Sequence, residues 1–274
     1  MNIAQALQHA QAQGLPRLEA QLLLLKCLDR PLHDRAWLLA HDDMPLSAEQ
    51  QHTFDNLVQR RLHHEPVAYL TGEREFFGLR LQIDARVLDP RPDTETLVEW
   101  ALAFVGPAPA RMLDLGTGSG AIALALQHAC PSAEVWAVDA SAEALDVARA
   151  NAARLQLPVQ FAHGHWWSPV QGRFDVVVSN PPYIAEDDPH LQRLGHEPRQ
   201  ALTAGPDGLA DIRQIVADAP RHLNPGGWLL LEHGHDQADA VCALLHARGF
   251  AQVQSRKDLA GIRRCSGGQW PTVE

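Results

Sequence analysis

The stretch "SNPPYI", Ser179–Ile184, follows the apolar run "FDVVV" and sets an amide, two prolines and a phenol in four consecutive positions, Asn180, Pro181, Pro182 and Tyr183. Proline gives no N–H to a sheet ladder and holds its φ fixed, so a strand must stop here and leave a stiff corner with a hydrogen-bonding side chain. A second chemically capable stretch is "LDLGTGSGA", in which Gly116, Gly118 and Gly120 alternate with Thr117 and Ser119. Glycines between a strand and a helix let backbone N–H groups approach a ligand at the positive end of that helix. The spacing differs from the dinucleotide fingerprint, and no Lys-Ser or Lys-Thr follows that could grip a phosphate. Asp139 ends the next apolar run, "VWAVD", about twenty residues on, where a carboxylate can accept from both hydroxyls of a ribose. Asp139 or Ser141 could instead cap the helix that follows; the roles are compatible if Ser141 caps while Asp139 faces the ligand. Glycine turn and acid together point to a ligand that carries adenosine.

Such residues need a scaffold that brings distant strand ends together. From about Thr94 onward, helical patterns alternate with the strand runs "RMLDLG", "EVWAVD", "VQFAHG", "FDVVVSN", "GWLLLEHG" and "AQVQSRKD". Strands separated by helices pair in parallel, and near-continuous runs such as "VVV" and "LLL" fit strands covered on both faces. The expected fold is α/β, a doubly wound, mostly parallel sheet. In it the first and fourth strands lie side by side where the strand order reverses, and ligands bind at their carboxyl ends. Gly116 follows the first strand and Asn180 the fourth, so the proline corner is expected beside the adenosine ligand.

The first seventy or so residues read differently. Apolar residues recur every three or four positions in "IAQALQHAQAQG" and "LEAQLLLLKCL", and Ser47 stands three residues before Gln50 in a capping-box arrangement. "EFFGLRLQID" then alternates, with Phe77, Leu79, Leu81 and Ile83 expected on one face of a short hairpin. The expected organisation is a small all-α domain over residues 1–74, a β-hairpin linker over 75–86 and an α/β domain over 87–274.

Composition narrows the function. The chain has 274 residues, a formal net charge of −10 and an isoelectric point near 5.8, which argues against life on a phosphate backbone. Only a local patch, Arg60, Arg61, His63 and His64, runs the other way. The four cysteines are far apart with no C-x-x-C pair, as expected of reduced thiols in a cytoplasmic protein. "LLLL" is too short to span a bilayer, and the N-terminus lacks the charged-then-apolar order of a signal peptide. The fifteen histidines show no ligand spacing, so no metal is expected.

"LDLGTGSGA", the acidic "AVD" and "NPPY" together resemble a class I S-adenosylmethionine-dependent methyltransferase acting on a planar nitrogen. "YLTGEREFFG", "VLDPRPDTE", "DPHL", "EPRQAL", "GPDGL" and "LLLEHG" are similar to blocks of one group, the peptide chain release factor glutamine N5-methyltransferases. The resemblance implies a seven-stranded Rossmann-like sheet, S-adenosylmethionine as donor, S-adenosylhomocysteine as product, and a Gly-Gly-Gln-bearing release factor as partner, with neither membrane nor direct nucleic acid contact. It places Gly116, Thr117, Gly118, Ser119, Gly120, Asp139, Trp166 and Asn180 at the donor, with Trp167 an alternative ring. Asn180, Pro181, Pro182 and Tyr183 fall at the substrate. A glutamine amide is a poor nucleophile because its lone pair is delocalised. The expected remedy is that Asn180 Oδ1 and the Pro181 carbonyl accept the two amide hydrogens while Tyr183 packs on the amide plane, aiming nitrogen at the methyl group.

One position departs from the family: His165 stands where an acid usually precedes the tryptophan. A neutral imidazole can accept a hydrogen bond from the adenine amino group and an imidazolium cannot. In "PRPDTE", Asp93 or Thr94 reads as a helix cap or as part of the site, and Glu197 with Arg199 as a structural ion pair buttressing the corner. "GGQW", Gly267–Trp270, reproduces the substrate tripeptide; self-methylation and a chance glycine-rich tail are the two readings. An adenine N6 nucleic-acid methyltransferase, a ribosomal-protein glutamine methyltransferase and a donor-binding regulator are the rivals. The acidic balance weighs against the first and the intact Asn-Pro-Pro-Tyr against the last.

Overall fold

Side-chain caps start two of the N-terminal helices. Asn2 accepts from the Gln5 N–H while the Gln5 side chain accepts from the Asn2 N–H, opening α1 (Ile3–Ala12). Ser47 and Gln50 repeat the arrangement at α4 (Ala48–Leu62), as the spacing predicts. Between them run α2 (Arg17–Cys27) and α3 (Arg35–Ala40), and α5 (Val67–Thr71) follows. Leu23, Leu24 and Leu25 of α2 are fully buried, so "LLLL" is the centre of a helical core rather than a surface stripe. The basic patch is neutralised in part, since Arg60 pairs with Glu65 and Arg61 with Glu19.

This computed structural model describes residues 1–106 and 109–272 and divides the chain into two compact units, Met1–Glu73 and Arg74 onward. The hairpin pairs β1 (Glu73–Phe76) with β2 (Leu79–Gln82). It departs from the expected alternation at one residue. Phe77 and Gly78 both take positive φ, +50° and +76°, the pair of conformations a two-residue hairpin turn requires. Phe77 therefore leaves the inner face, and Phe76 joins Leu79, Leu81 and Ile83 in the core. The Phe77 N–H donates to Glu95 Oε1 at 2.9 Å, tying the turn to the first residue of α6 (Glu95–Leu102).

The remainder alternates as expected: β3 (Arg111–Leu115), α7 (Ala121–Ala129), β4 (Glu134–Asp139), α8 (Ala142–Leu155), β5 (Gln160–His163), β6 (Phe174–Ser179), α9 (Ala210–Asp218), β7 (Leu223–Glu232), α10 (Ala238–Arg248), β8 (Ala251–Lys257) and β9 (Arg263–Gln269). These strands form one seven-stranded sheet in the order β5-β4-β3-β6-β7-β9-β8, with β9 antiparallel to both neighbours. Leu113, Leu115, Val177, Leu229 and Leu231 are fully buried, as strands covered on both faces must be.

The seventh strand is the tripeptide-bearing segment read from sequence as a tail. It has no apolar alternation because bare backbone is what fits there. A Cβ at Gly267 would fall 2.5 Å from Leu230 Cδ2 and 2.6 Å from the Leu229 carbonyl oxygen. Gln269 is fixed as well: its Nε2 donates to the Gly226 carbonyl at 2.9 Å and its Oε1 accepts from Gln252. It pairs with Trp228, four residues upstream of Glu232, which places it about 13 Å back along the sheet from the carboxyl edge. "GGQ" is thus a packing element of this chain, and the self-methylation reading falls with it.

Candidate active site

Strand register assembles the site. Leu115 pairs with Val138 on one side and Ser179 on the other, and Ser179 pairs with Leu231. The next residue of each strand, or the first beyond it, therefore falls in one row at the carboxyl edge: Asp139, Gly116, Asn180, Glu232. Residues up to 64 positions apart in sequence become neighbours, with the proline corner directly beside the glycine turn.

Gly116, Gly118 and Gly120 have φ of +74°, +54° and +85°, conformations that side chains with a Cβ rarely adopt. Gly116 and Gly118 line a cavity with Asp139, His165, Trp166 and Asn180. The other three turn residues act from behind. Thr117 Oγ1 donates to Asp114 Oδ2 at 2.6 Å, Ser119 is buried with its carbonyl accepting from Asn151 Nδ2, and Gly120 begins α7. Asp114, which sequence reading passed over inside an apolar run, is the anchor of the turn. It also accepts from the Ala123 N–H, and burial pushes its carboxyl up to about 7.

Asp139 and Ser141 divide the work as compatible roles. Ser141 Oγ accepts from the Ala144 N–H and caps α8. Asp139 accepts from the backbone N–H groups of Gly118 at 2.8 Å on Oδ2 and Ser141 at 2.9 Å on Oδ1, with Ala140 also bonding it. This fixes a carboxylate that lines the cavity and can accept from a vicinal diol. Burial raises its carboxyl above the usual range, while those N–H groups pull it back. Trp166 and Trp167 also separate. Trp166 faces the cavity at φ +46° and donates through Nε1 to Asp211 Oδ1; Trp167 is buried against His222, its Nε1 bonded to the Ile215 carbonyl. A bare-backbone floor, an aromatic wall and an accepting carboxylate suit a nucleoside with an intact ribose. His165 stands edge-on to Trp166 at the rim of this cavity. Calorimetry of S-adenosylmethionine is expected to give weaker binding to His165→Ala than to the wild type, and equal affinities would remove His165 from the site.

A second cavity adjoins the first. Asn180 lines both, and in the second its companions are Leu88, Arg91, Tyr183 and Ile184. Pro182 faces the first cavity, whereas the Pro181 ring is buried under the corner. Burial pushes the Tyr183 phenol far above its ordinary range, so it stays neutral. The corner is braced by a bridge in which the Ile184 N–H donates to the Leu202 carbonyl and its own carbonyl accepts from Ala204.

Three expectations are corrected here. Glu197 pairs with Arg91, at 2.6 Å, and not with Arg199, because the chain turns at Pro198 and brings its carboxylate to the loop before α6. Thr94 makes no cap bond; its hydroxyl accepts from Asn180 Nδ2 at 3.3 Å. Asp93 does not cap either and lies 3.6 Å from Arg264. Among the described residues no cluster of His, Cys, Asp or Glu could hold a metal ion.

The fold matches solved methyltransferases. A Pyrococcus furiosus methyltransferase aligns over 80% of this chain and all of its own at TM-score 0.56 and 22% identity. The hMettl16 catalytic domain in complex with a 3′UTR hairpin aligns over 76% of this chain and 80% of its own at TM-score 0.60 and 17% identity. Sheet order, glycine turn and carboxyl-edge cavity define a Rossmann-like methyltransferase, a class whose donor is S-adenosylmethionine. The Methyltransferase small domain model matches residues 94–238 and the PrmC N-terminal domain model residues 2–72. The release factor glutamine methyltransferase of Bordetella pertussis is 52% identical over 93% of this chain and 95% of its own, and that of Burkholderia pseudomallei 50% over 98% and 97%. The chain belongs to the release factor glutamine methyltransferase family.

Proposed function

We propose that this enzyme methylates the side-chain nitrogen of the glutamine in the Gly-Gly-Gln motif of translation release factors, with donor and glutamine in the two cavities that meet at Asn180. Leu88, Asn180 and Ala201 line both cavities, and Asn180 is the one of the three with a polar side chain. That shared wall carries the reading, because a methyl group passing from donor to acceptor must cross where the cavities touch. When bound, S-adenosylmethionine supplies an electrophilic methyl on a sulfonium centre. The chain's part is positional. Gly116 and Gly118 hold the donor close to backbone, Asp139 takes the ribose hydroxyls, and Trp166 borders the base.

At the acceptor, Asn180 Oδ1 and the Pro181 carbonyl accept the two amide hydrogens. This orients the nitrogen in line with the methyl and stabilises positive charge as the N–C bond forms and the methyl's bond to sulfur breaks. The donor leaves as the neutral thioether, and the nitrogen gives up one of its two protons to solvent to end as a neutral secondary amide. Pro182 and Tyr183 complete the amide slot, and fixed proline φ angles keep both acceptors from relaxing away. Residues 1–74 are read as the docking platform for the release factor, since every residue lining the two cavities lies beyond Arg74. A cytoplasmic location fits free cysteines and the lack, among the described residues, of any helix long and apolar enough to cross a membrane.

The test is transfer of labelled methyl to purified release factor, to ribosomal proteins and to DNA. Label is expected on the release factor alone. Label on DNA or on a ribosomal protein with none on the release factor would overturn the substrate assignment.

A further inference from the structure

The proposed role of Asn180 raises a question about its amide. Turned about its terminal bond by half a rotation, the side chain presents NH2 where Oδ1 should be, at nearly the same shape. Against a substrate NH2 that orientation is useless, so something must hold the amide the right way round. Asn180 Nδ2 points at Thr94 Oγ1, at 3.3 Å. A hydroxyl by itself decides nothing, since it can accept from NH2 or donate to the oxygen. What decides is the destination of the Thr94 proton.

The Thr94 hydroxyl lies against the carboxyl of Glu232 and favours its charged form, and Glu232 is the residue next to Asn180 in the carboxyl-edge row. Thr94 and Glu232 are 3% and 1% exposed, so water does not compete, and Glu232 Oε2 has no hydrogen-bond partner. An ionised carboxylate only accepts. Thr94 must then give its proton to Glu232 and offer a lone pair to Asn180, which turns NH2 toward Thr94 and Oδ1 toward the substrate.

We propose that Glu232 and Thr94 are positioning residues that set the amide orientation of Asn180, and that protonating Glu232 unlocks it. This rests on Asn180 Oδ1 being the substrate acceptor. A protonated Glu232 becomes a donor. Thr94 can then donate to Asn180 Oδ1 instead, and the wrong orientation is no longer excluded. The groups facing Glu232 are Arg264 and Cys265 from β9, Arg91 and Asp93 from the loop before α6, and Tyr183 from the corner. Arg264 and Arg91 favour the charged form and Asp93 opposes it, while burial outweighs them and pushes the carboxyl up to about 7. Its folded-state value is raised, so the ionised, active form is lost as pH falls through the neutral range.

The experiment measures kcat at saturating donor and release factor between about pH 5.5 and 8.5, which removes any effect of His165 on donor affinity. Wild-type kcat is expected to fall by up to tenfold per pH unit on the acid side. Glu232→Gln, whose amide can donate or accept, is expected to be roughly tenfold slower at pH 8 and flat with pH. Thr94→Val is expected to lose roughly tenfold in kcat with donor affinity unchanged, and Thr94→Ser to restore it. A flat wild-type profile, a Glu232→Gln enzyme that keeps the wild-type inflection, or full turnover in Thr94→Val overturns the proposal. The wild-type profile decides alone if the variants do not fold. Full turnover in Asn180→Ala would instead remove the acceptor assignment beneath it.

Discussion

Asn180→Ala is expected to lower kcat by roughly 10²–10³-fold while donor affinity stays within a fewfold of wild type. The reasoning is differential. The Asn180 side chain is one of many groups lining the proposed donor cavity, where Asp139 and the glycine turn are proposed to do most of the holding. In the proposed acceptor site it supplies one of two oxygens for an NH2 that gains charge only as the bond forms. A preorganised partner aimed at developing charge contributes about 2.7–4 kcal/mol when lost from a comparable site. The effect should therefore fall on kcat and leave KM for the donor nearly alone. Turnover within threefold of wild type, in a variant that still binds donor, would falsify the acceptor role.

The second large effect is expected far from the reacting atoms. Gly208 lies under the corner at φ +70°, and a Cβ there would fall 2.2 Å from the Tyr183 carbonyl oxygen and 2.8 Å from Gln237 Nε2. That carbonyl also accepts from Gln237 Nε2 at 3.0 Å, so it is pinned from two sides. Gly208→Ala must either strain its own backbone or push Tyr183 outward, and the two penalties together come to about 3 kcal/mol or more. The expected result is a Tm lower by roughly 6–12 °C, with a loss in kcat/KM because relief is available only by moving the amide slot. A Gly208→Ala protein with unchanged melting and turnover would show that the corner is held by other means.

How much of this was legible beforehand follows from distance in the chain. Three of the four members of the carboxyl-edge row could be read from sequence because each ends a strand with its own local mark: glycines after β3, an acid after β4, prolines after β6. Parallel pairing then does the rest. Ser141 as cap and Ser47 with Gln50 were legible for the same reason, since both partners lie within one turn.

The residues that escaped are those whose meaning lies elsewhere in the fold. Thr94 before a helix looks like any cap, and only the approach of Asn180, 86 residues on, gives its hydroxyl another use. Arg91 and Glu197 are 106 residues apart. Asp114 and Glu232 sit in apolar strands, where a single acid reads as a strand end. Nothing local reveals that each is wholly enclosed. β9 escaped because its close fit against β7 needs glycine at Gly267, which erases the alternation that marks a strand.

That close fit has a consequence for how the enzyme lives with its own sequence. Gly267, Gly268 and Gln269 spell the tripeptide the family modifies, yet they are laced between β7 and the edge strand β8, hydrogen-bonded on both sides. Exposing them to another copy would mean breaking the ladders to both β7 and β8 and baring the buried face at Gly267, a sub-global opening rather than a fraying end. An opening that costs about 5 kcal/mol leaves fewer than about one molecule in a thousand open at any moment. The catalyst is immune to itself because it is folded.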